Sequence, residues 1–147
     1  MKQEIEEIVK DLCSPEGEFP TKIINQNGYN FLSFSWGPKH LFEYFKLYED
    51  HQNKDMIVYN DERWTYHEAY QLSSAFAQSL INDFSVKKGD RVAIASRNYP
   101  EWIFSFIAIT SIGAVAVPMN SWWTSKELEY GIKDSDSKII IADQERF

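Results

Sequence analysis

Residues Gly89–Asp143 read GDRVAIASRNYPEWIFSFIAITSIGAVAVPMNSWWTSKELEYGIKDSDSKIIIAD, and the alternation within them decides the fold. Three short runs rich in Val, Ile and Ala, at Arg91–Ala95, Ala114–Val117 and Ile139–Ala142, are separated by two helical segments. Strand–helix–strand alternation implies parallel strands joined by right-handed crossovers. The fold class expected is α/β, a three-layer parallel sheet with flanking helices. Such sheets take ligands beyond the carboxyl ends of their strands.

The first crossover helix, from about Pro100 to Ile112, implies that the sheet is incomplete. At 100° per residue Trp102, Phe106 and Ile109 share one face, Ile103 and Ile107 a second, while Phe104, Ala108 and Ile112 close the circle. A helix that is apolar all round is buried all round. One side packs on the sheet, and the other requires a further layer. That layer is expected from protein beyond residue 147; the alternative is that the N-terminal helices fold back over it.

Composition removes several function classes. The 147 residues suffice for one domain with a core, and 44% hydrophobic with 25% charged residues is a globular balance. A formal net charge of −7, with no basic cluster beyond Lys87–Lys88, argues against nucleic acid as a partner. Cys13 is the sole cysteine, and His40, His51 and His67 lack metal-ligand spacing. The N-terminus MKQEIEEIVKDLC is acidic and amphipathic, without the apolar core of a signal peptide. The apolar tract Trp102–Ile109 is too short to cross a bilayer, so no transmembrane segment and a cytoplasmic location are expected.

Upstream of the decisive stretch, residues 2–12 suit a short helix with Ile5, Ile8, Val9 and Leu12 on one side. Ser14–Gly37 reads as an irregular segment lying on a surface through Phe19, Tyr29, Phe31, Phe34 and Trp36. A helix is expected after Pro38, with Leu41, Phe42, Phe45 and Tyr48 as its apolar stripe. Met56–Tyr59 suits a strand, Asn60–Arg63 a turn, and Trp64 the start of a returning strand. Thr65–Glu68 and Thr124–Glu127 are T-x-x-E capping boxes, each opening a helix. The expected organisation is therefore residues 1–55 as N-terminal helices and an irregular covering segment, and residues 56–147 as the start of a parallel α/β subdomain.

Chemistry is scarce. The six glycines, at 17, 28, 37, 89, 113 and 131, are isolated, so neither a dinucleotide fingerprint nor a P-loop occurs. There is no G-x-S-x-G elbow and no ordered Ser/His/Asp set. The strand ends offer Arg97, Asn98, Asn120, Trp122, Trp123 and Asp143 as ligand-facing candidates. Each has a plainer reading. Asn98 and Asn120 suit hydrogen bonds to loop backbone, Arg97 suits a neighbouring carboxylate, and the tryptophans suit packing under the sheet edge or against a missing neighbour. No catalytic, cofactor-binding or metal residue is assigned.

Four ordered elements resemble AMP-forming adenylating enzymes: acyl-CoA synthetases, luciferases and peptide-synthetase adenylation domains. Trp64-Thr65-Tyr66-His67-Glu68-Ala69 is similar to the family's L-T-Y-x-E-L element, and Gly89–Ile94 to its G-D-R-V-A strand. Asn98-Tyr99-Pro100-Glu101-Trp102 resembles N-x-P-E-[WF], and Gly113–Asn120 resembles G-A-V-x-V-P-L-N. Asn120-Ser121-Trp122-Trp123-Thr124, running into Glu127–Ile132, is most similar to bacterial ligases of the fatty-acid–CoA type.

This resemblance implies the N-terminal subdomain of the adenylate-forming fold, and a two-step reaction in the full-length enzyme. A carboxylate attacks the α-phosphate of ATP to give acyl-adenylate and pyrophosphate, and the thiol of coenzyme A then displaces AMP, with Mg2+ bridging phosphates. The substrate implied is a fatty or related acyl acid. The family's Ser/Thr/Gly-rich phosphate loop, aromatic-x-x-Thr-Glu element, ribose-binding Asp and C-terminal lysine do not occur in these 147 residues. The chain is accordingly expected to be an N-terminal fragment that is inactive alone and binds no cofactor tightly. Two other readings stay open: a flavodoxin-like module binding a small ligand, and a module that forms homo-oligomers through exposed apolar surface.

Overall fold

A computed structural model describes residues 2–46 and 50–146, which divide between two compact units, residues 1–39 and 40–147. In the first unit, helix α1 (Lys2–Leu12) carries its apolar stripe as expected, with Ile5, Ile8 and Val9 exposed. The segment expected to be irregular instead contains an antiparallel hairpin of β1 (Thr21–Gln26) and β2 (Tyr29–Phe34). Its cause lies in Asn27-Gly28, both at positive φ (54° and 84°), which give the two-residue turn whose twist matches that of the flanking strands. Ile23, Ile24, Phe31 and Leu32 then supply β-forming side chains on both arms. The five aromatics of this segment are exposed, not laid against a surface.

The second unit opens with α2 (Leu41–Lys46), three residues later than Pro38 suggests; Tyr48 lies outside the described residues. Although it groups by sequence with the N-terminal segment, α2 belongs to the α/β unit. Strands β3 (Asp55–Tyr59) and β4 (Glu62–Thr65) form a hairpin around Asn60-Asp61, a tighter turn than expected, with Asn60 at φ 50°. Helix α3 (Tyr66–Asn82) starts at a complete capping box: the Glu68 amide donates to Thr65 Oγ1 (3.2 Å), and the Thr65 amide donates to Glu68 Oε2 (2.8 Å).

The parallel sheet contains β5 (Arg91–Ala95), β6 (Val115–Pro118) and β7 (Ile139–Ala142), connected by α4 (Pro100–Ser111) and α5 (Ser125–Ser135). Its order is β6-β5-β7, with Val92 level with Ala116 on one side and Ile139 on the other. Central β5 is buried on both faces, and its period-2 alternation sorts two cores. Val92 and Ile94 pack with Leu80, Val86, Ala108 and Ile109 from the α3–α4 side. Ala93 and Ala95 pack with Met119, Trp123, Leu128 and Ile132 on the α5 side.

The layer that α4 needs on its second side comes from within the chain, which corrects the expectation that it lies beyond residue 147. Helix α3 packs along α4, and Phe104 joins Ile57 of β3 and Ala69 of α3 in a second cluster. Trp64 of β4 meets Phe104 edge-on, with ring centroids 5.8 Å apart. Only Glu101 and Ile103 of α4 are exposed, the latter at 37%.

At the amino ends of the strands the glycine–aspartate element is a clamp. Gly89, at φ 87°, donates its amide to the Gly113 carbonyl (2.9 Å). Asp90 Oδ2 accepts from Lys138 Nζ (2.9 Å) and from the Lys87 amide (2.8 Å), while Lys138 also donates to the Ser85 carbonyl (2.6 Å). The Lys138 bond, then the Lys87 amide, hold the Asp90 carboxyl below its ordinary value. A capping-box amide and hydroxyl do the same for Glu68 and Glu127. Carboxylates depressed in the fold contribute stability above their unfolded pKa, and this is lost as pH falls through the folded value. The urea midpoint is therefore expected to drop as pH falls below about 4. Asp90→Asn should lower that midpoint at neutral pH and shrink the acid decrement; an unchanged acid decrement in the variant contradicts the clamp.

Candidate functional site

The chain steps from β5 outward to β6, then crosses back over β5 to β7. The direction of winding thus reverses between β5 and β7, the switch point where open α/β sheets leave a crevice beyond their carboxyl ends. A groove of about 430 Å³ opens there, walled by Ile94, Tyr99, Trp102 and Ile141 and bordered by Ser96, Glu101, Asp143, Gln144 and Glu145.

The residues singled out from sequence separate here into two groups. Arg97, Trp122 and Asp143 come together. The Arg97 amide donates to Asp143 Oδ2 (2.8 Å), its guanidinium pairs with Glu145, and that guanidinium lies 6.0 Å from the Trp122 ring centroid. Asp143 Oδ1 accepts from the Glu145 amide (3.2 Å). One arginine therefore ties the loops that follow all three strands, and its expected carboxylate partner is Glu145. Trp122 does not pack beneath the sheet edge: it is 81% exposed.

Asn120, Trp123 and Asn98 take other places. Asn120 Oδ1 accepts from the Trp122 amide (2.9 Å), the loop-backbone role expected of it. Trp123 packs inward against Met119 and the alanines of β5, over Gly131 of α5. Asn98 lines a separate groove of about 240 Å³ beside Tyr59 and Tyr99.

Sequence reasoning missed Ser96, Glu101 and Glu145 as groove residues. Their signal was positional: Ser96 directly follows β5, Glu101 stands in the first turn of α4, and Glu145 stands two residues past Asp143. The polar groups are largely committed to the scaffold. Ser96 Oγ donates to the Arg97 carbonyl (3.0 Å), and Ser105 Oγ donates to the Glu101 carbonyl (2.6 Å). The turn from β5 into α4, Ser96-Arg97-Asn98-Tyr99, contains no glycine, and Pro100 withholds an amide at the helix start. Three carboxylates and an arginine already paired with one of them suit a phosphate chain poorly. Among the described residues no cluster of His, Cys, Asp and Glu could hold a metal ion, and no helix is long and apolar enough to cross a membrane.

Residues 46–147 match the family described as AMP-binding enzyme. The chain is 34% identical over 102 residues to 4-hydroxybutyrate–CoA ligase 2 of Metallosphaera sedula, covering 69% of this chain and 17% of that protein. It is 33% identical over 81 residues to oxalate–CoA ligase of Arabidopsis thaliana, covering 55% of this chain and 16% of that one. Its fold is similar to the N-terminal subdomain of Klebsiella oxytoca NpsA, with a TM-score of 0.68, 27% identity, and coverage of 73% of this chain and 28% of that one. The chain thus spans only a small part of the length of the relatives it matches.

Proposed function

Because the chain belongs to the AMP-binding enzyme family, we propose that it is the N-terminal part of an ATP-dependent acid–CoA ligase and supplies scaffold, not reacting groups. In the full-length enzyme a carboxylate would attack the α-phosphate of ATP and release pyrophosphate. Coenzyme A would then take the acyl group and release AMP, with Mg2+ on the phosphates. This chain's contribution is to hold the strand ends in register through Arg97, Asp143 and Glu145, with residues 56–147 as the α/β part. The acid is proposed to be a fatty or related acyl acid, on the likeness of Asn120–Ile132 to fatty-acid–CoA ligases, and the location to be cytoplasmic. The relatives named for 4-hydroxybutyrate and oxalate support the wider class of carboxylic acids.

One observation carries the scaffold reading: the switch-point crevice has a glycine-free first turn and an acidic border, the reverse of a phosphate cradle. The purified 147-residue chain should give no carboxylate-dependent ATP–pyrophosphate exchange above a heat-killed control. Exchange that scales with added chain would overturn the proposal. A second reading has one observation in its favour, since β6-β5-β7 is the 2-1-3 order of flavodoxin-like sheets. That reading requires the chain alone to bind ATP or a flavin stoichiometrically.

A further inference from the structure

We propose that the groove between α3 and α4, beside α2, is a binding site for a small uncharged ring that carries one hydroxyl, a phenol in chemical class. Ala69, Ser73 and Ala77, spaced four apart, are buried along one stripe of α3. That stripe faces α4, since Ala69 packs with Phe104, and Ala77 with Ala108 and Ile109. Ser73 is 2% exposed, and its Oγ is buried with no hydrogen-bond partner. Two hydroxyls of α4 instead bond back along their own helix: Ser105 Oγ donates to the Glu101 carbonyl (2.6 Å), and Thr110 Oγ1 donates to the Phe106 carbonyl (2.7 Å). A buried hydroxyl without a partner is costly and rare, so Ser73 calls for one from outside the chain.

The space beside Ser73 selects the occupant. Ser73 lines a groove of about 190 Å³ whose apolar walls are Phe42 of α2, Ile81 of α3, Ile107 of α4 and Ile112. An apolar cavity of about 150 Å³ admits a benzene ring, so one six-membered ring with a small substituent fits here. No Lys, Arg, His, Asp or Glu is among the lining residues, and a charged ligand would lose its hydration with no counter-charge in return. The groove's other polar side chains, Tyr70, Ser74, Gln78 and Ser111, are part-exposed or exposed, so Ser73 is the one that water does not serve. Helix α2 leaves the space open, for none of its six residues is buried. Ile81, 48% exposed, marks the mouth. Size, absence of charge and one unmet hydroxyl together point to a phenol whose O–H donates to Ser73 Oγ. The groove shares no lining residue with the strand-end crevice, and the inference stands apart from the ligase reading.

Titration of the 15N-labelled whole chain with phenol tests it, with toluene as the ring of similar size that lacks the hydroxyl. Phenol should give saturable amide shifts confined to α2, residues 73–81 and residues 107–112. Ser73→Ala should weaken phenol about fivefold, the effect of one net hydrogen bond, and leave toluene binding unchanged. The same variant should melt no lower than the wild type, because it removes a hydroxyl that nothing in the chain satisfies. Phenol shifts that do not saturate, or that spread over other surfaces, overturn the proposal. So does phenol binding that Ser73→Ala leaves unchanged, or an equal loss of phenol and toluene in that variant. A lower melting temperature for Ser73→Ala also overturns it, since the hydroxyl would then have its partner within the chain.

Discussion

Replacing Phe104 by Ala is expected to cost the 147-residue chain about 3–5 kcal/mol of unfolding free energy, a large part of the stability of a domain this size. Phe104 is 8% exposed and contacts the sheet-distal cluster of Ile57 and Ala69, with Trp64 edge-on to its ring. The loss combines the transfer term for a buried ring with the cavity left among partners that belong to two hairpin strands and a helix. The measurement is urea unfolding of the wild type and the variant at equal ionic strength. A cost near zero would mean that the outer side of α4 is not covered by this chain's own β3, β4 and α3. In that case the missing layer would lie elsewhere, as the all-round apolar helix suggests from sequence.

Gly131→Ala is expected to destabilise, against the usual sign. In an exposed helix interior, glycine to alanine gains roughly 1 kcal/mol. In α5, a Cβ on Gly131 would stand 2.6 Å from Trp123 Cζ3 and 3.1 Å from the Met119 sulfur. Trp123 is wedged between α5 and the alanines of β5, so relieving the overlap moves either the indole or the helix off the sheet. Overpacking of this kind costs about 1–3 kcal/mol. Thermal unfolding of the variant reads the sign directly, and a higher melting temperature would show that the indole does not rest on this glycine. The double variant Gly131→Ala with Trp123→Phe should recover part of the loss.

These two sites also explain what could be read from the sequence. The sheet strands were legible because Arg91–Ala95 and Ile139–Ala142 are short, β-branched and bounded by turn residues, and because β5 is buried on both faces. Both capping boxes were legible because a Thr and a Glu three residues apart satisfy helix-start amides by purely local contacts. The hairpin of β1 and β2 was signalled just as locally by Asn27-Gly28, but scattered polar residues and aromatics hid the alternation around it. The cover on α4 was not legible, because its partners lie some 40 residues upstream and nothing local ties Phe104 to Trp64.

The strand-end cluster was legible only by position. Arg97, Asp143 and Glu145 are brought together by the parallel register of β5 and β7, which a one-dimensional reading supplies only after the sheet order is known. The motifs that carried the family resemblance serve mostly as scaffold. Gly89-Asp90 and Gly113 clamp the amino ends of the strands, opposite the crevice, and Thr65 and Glu68 cap a covering helix. That is why those motifs indicate the fold and the family so well and name no reacting group.

The most direct test of the scaffold account is a site-resolved titration: amide NMR spectra of the 15N-labelled chain with increasing Mg-ATP. The account predicts no saturable shifts at residues 96–99 or 143–145, where Arg97, Asp143 and Glu145 are already held by one another. Saturable, stoichiometric shifts confined to those residues would contradict it, and would make the strand-end crevice a nucleotide site in its own right.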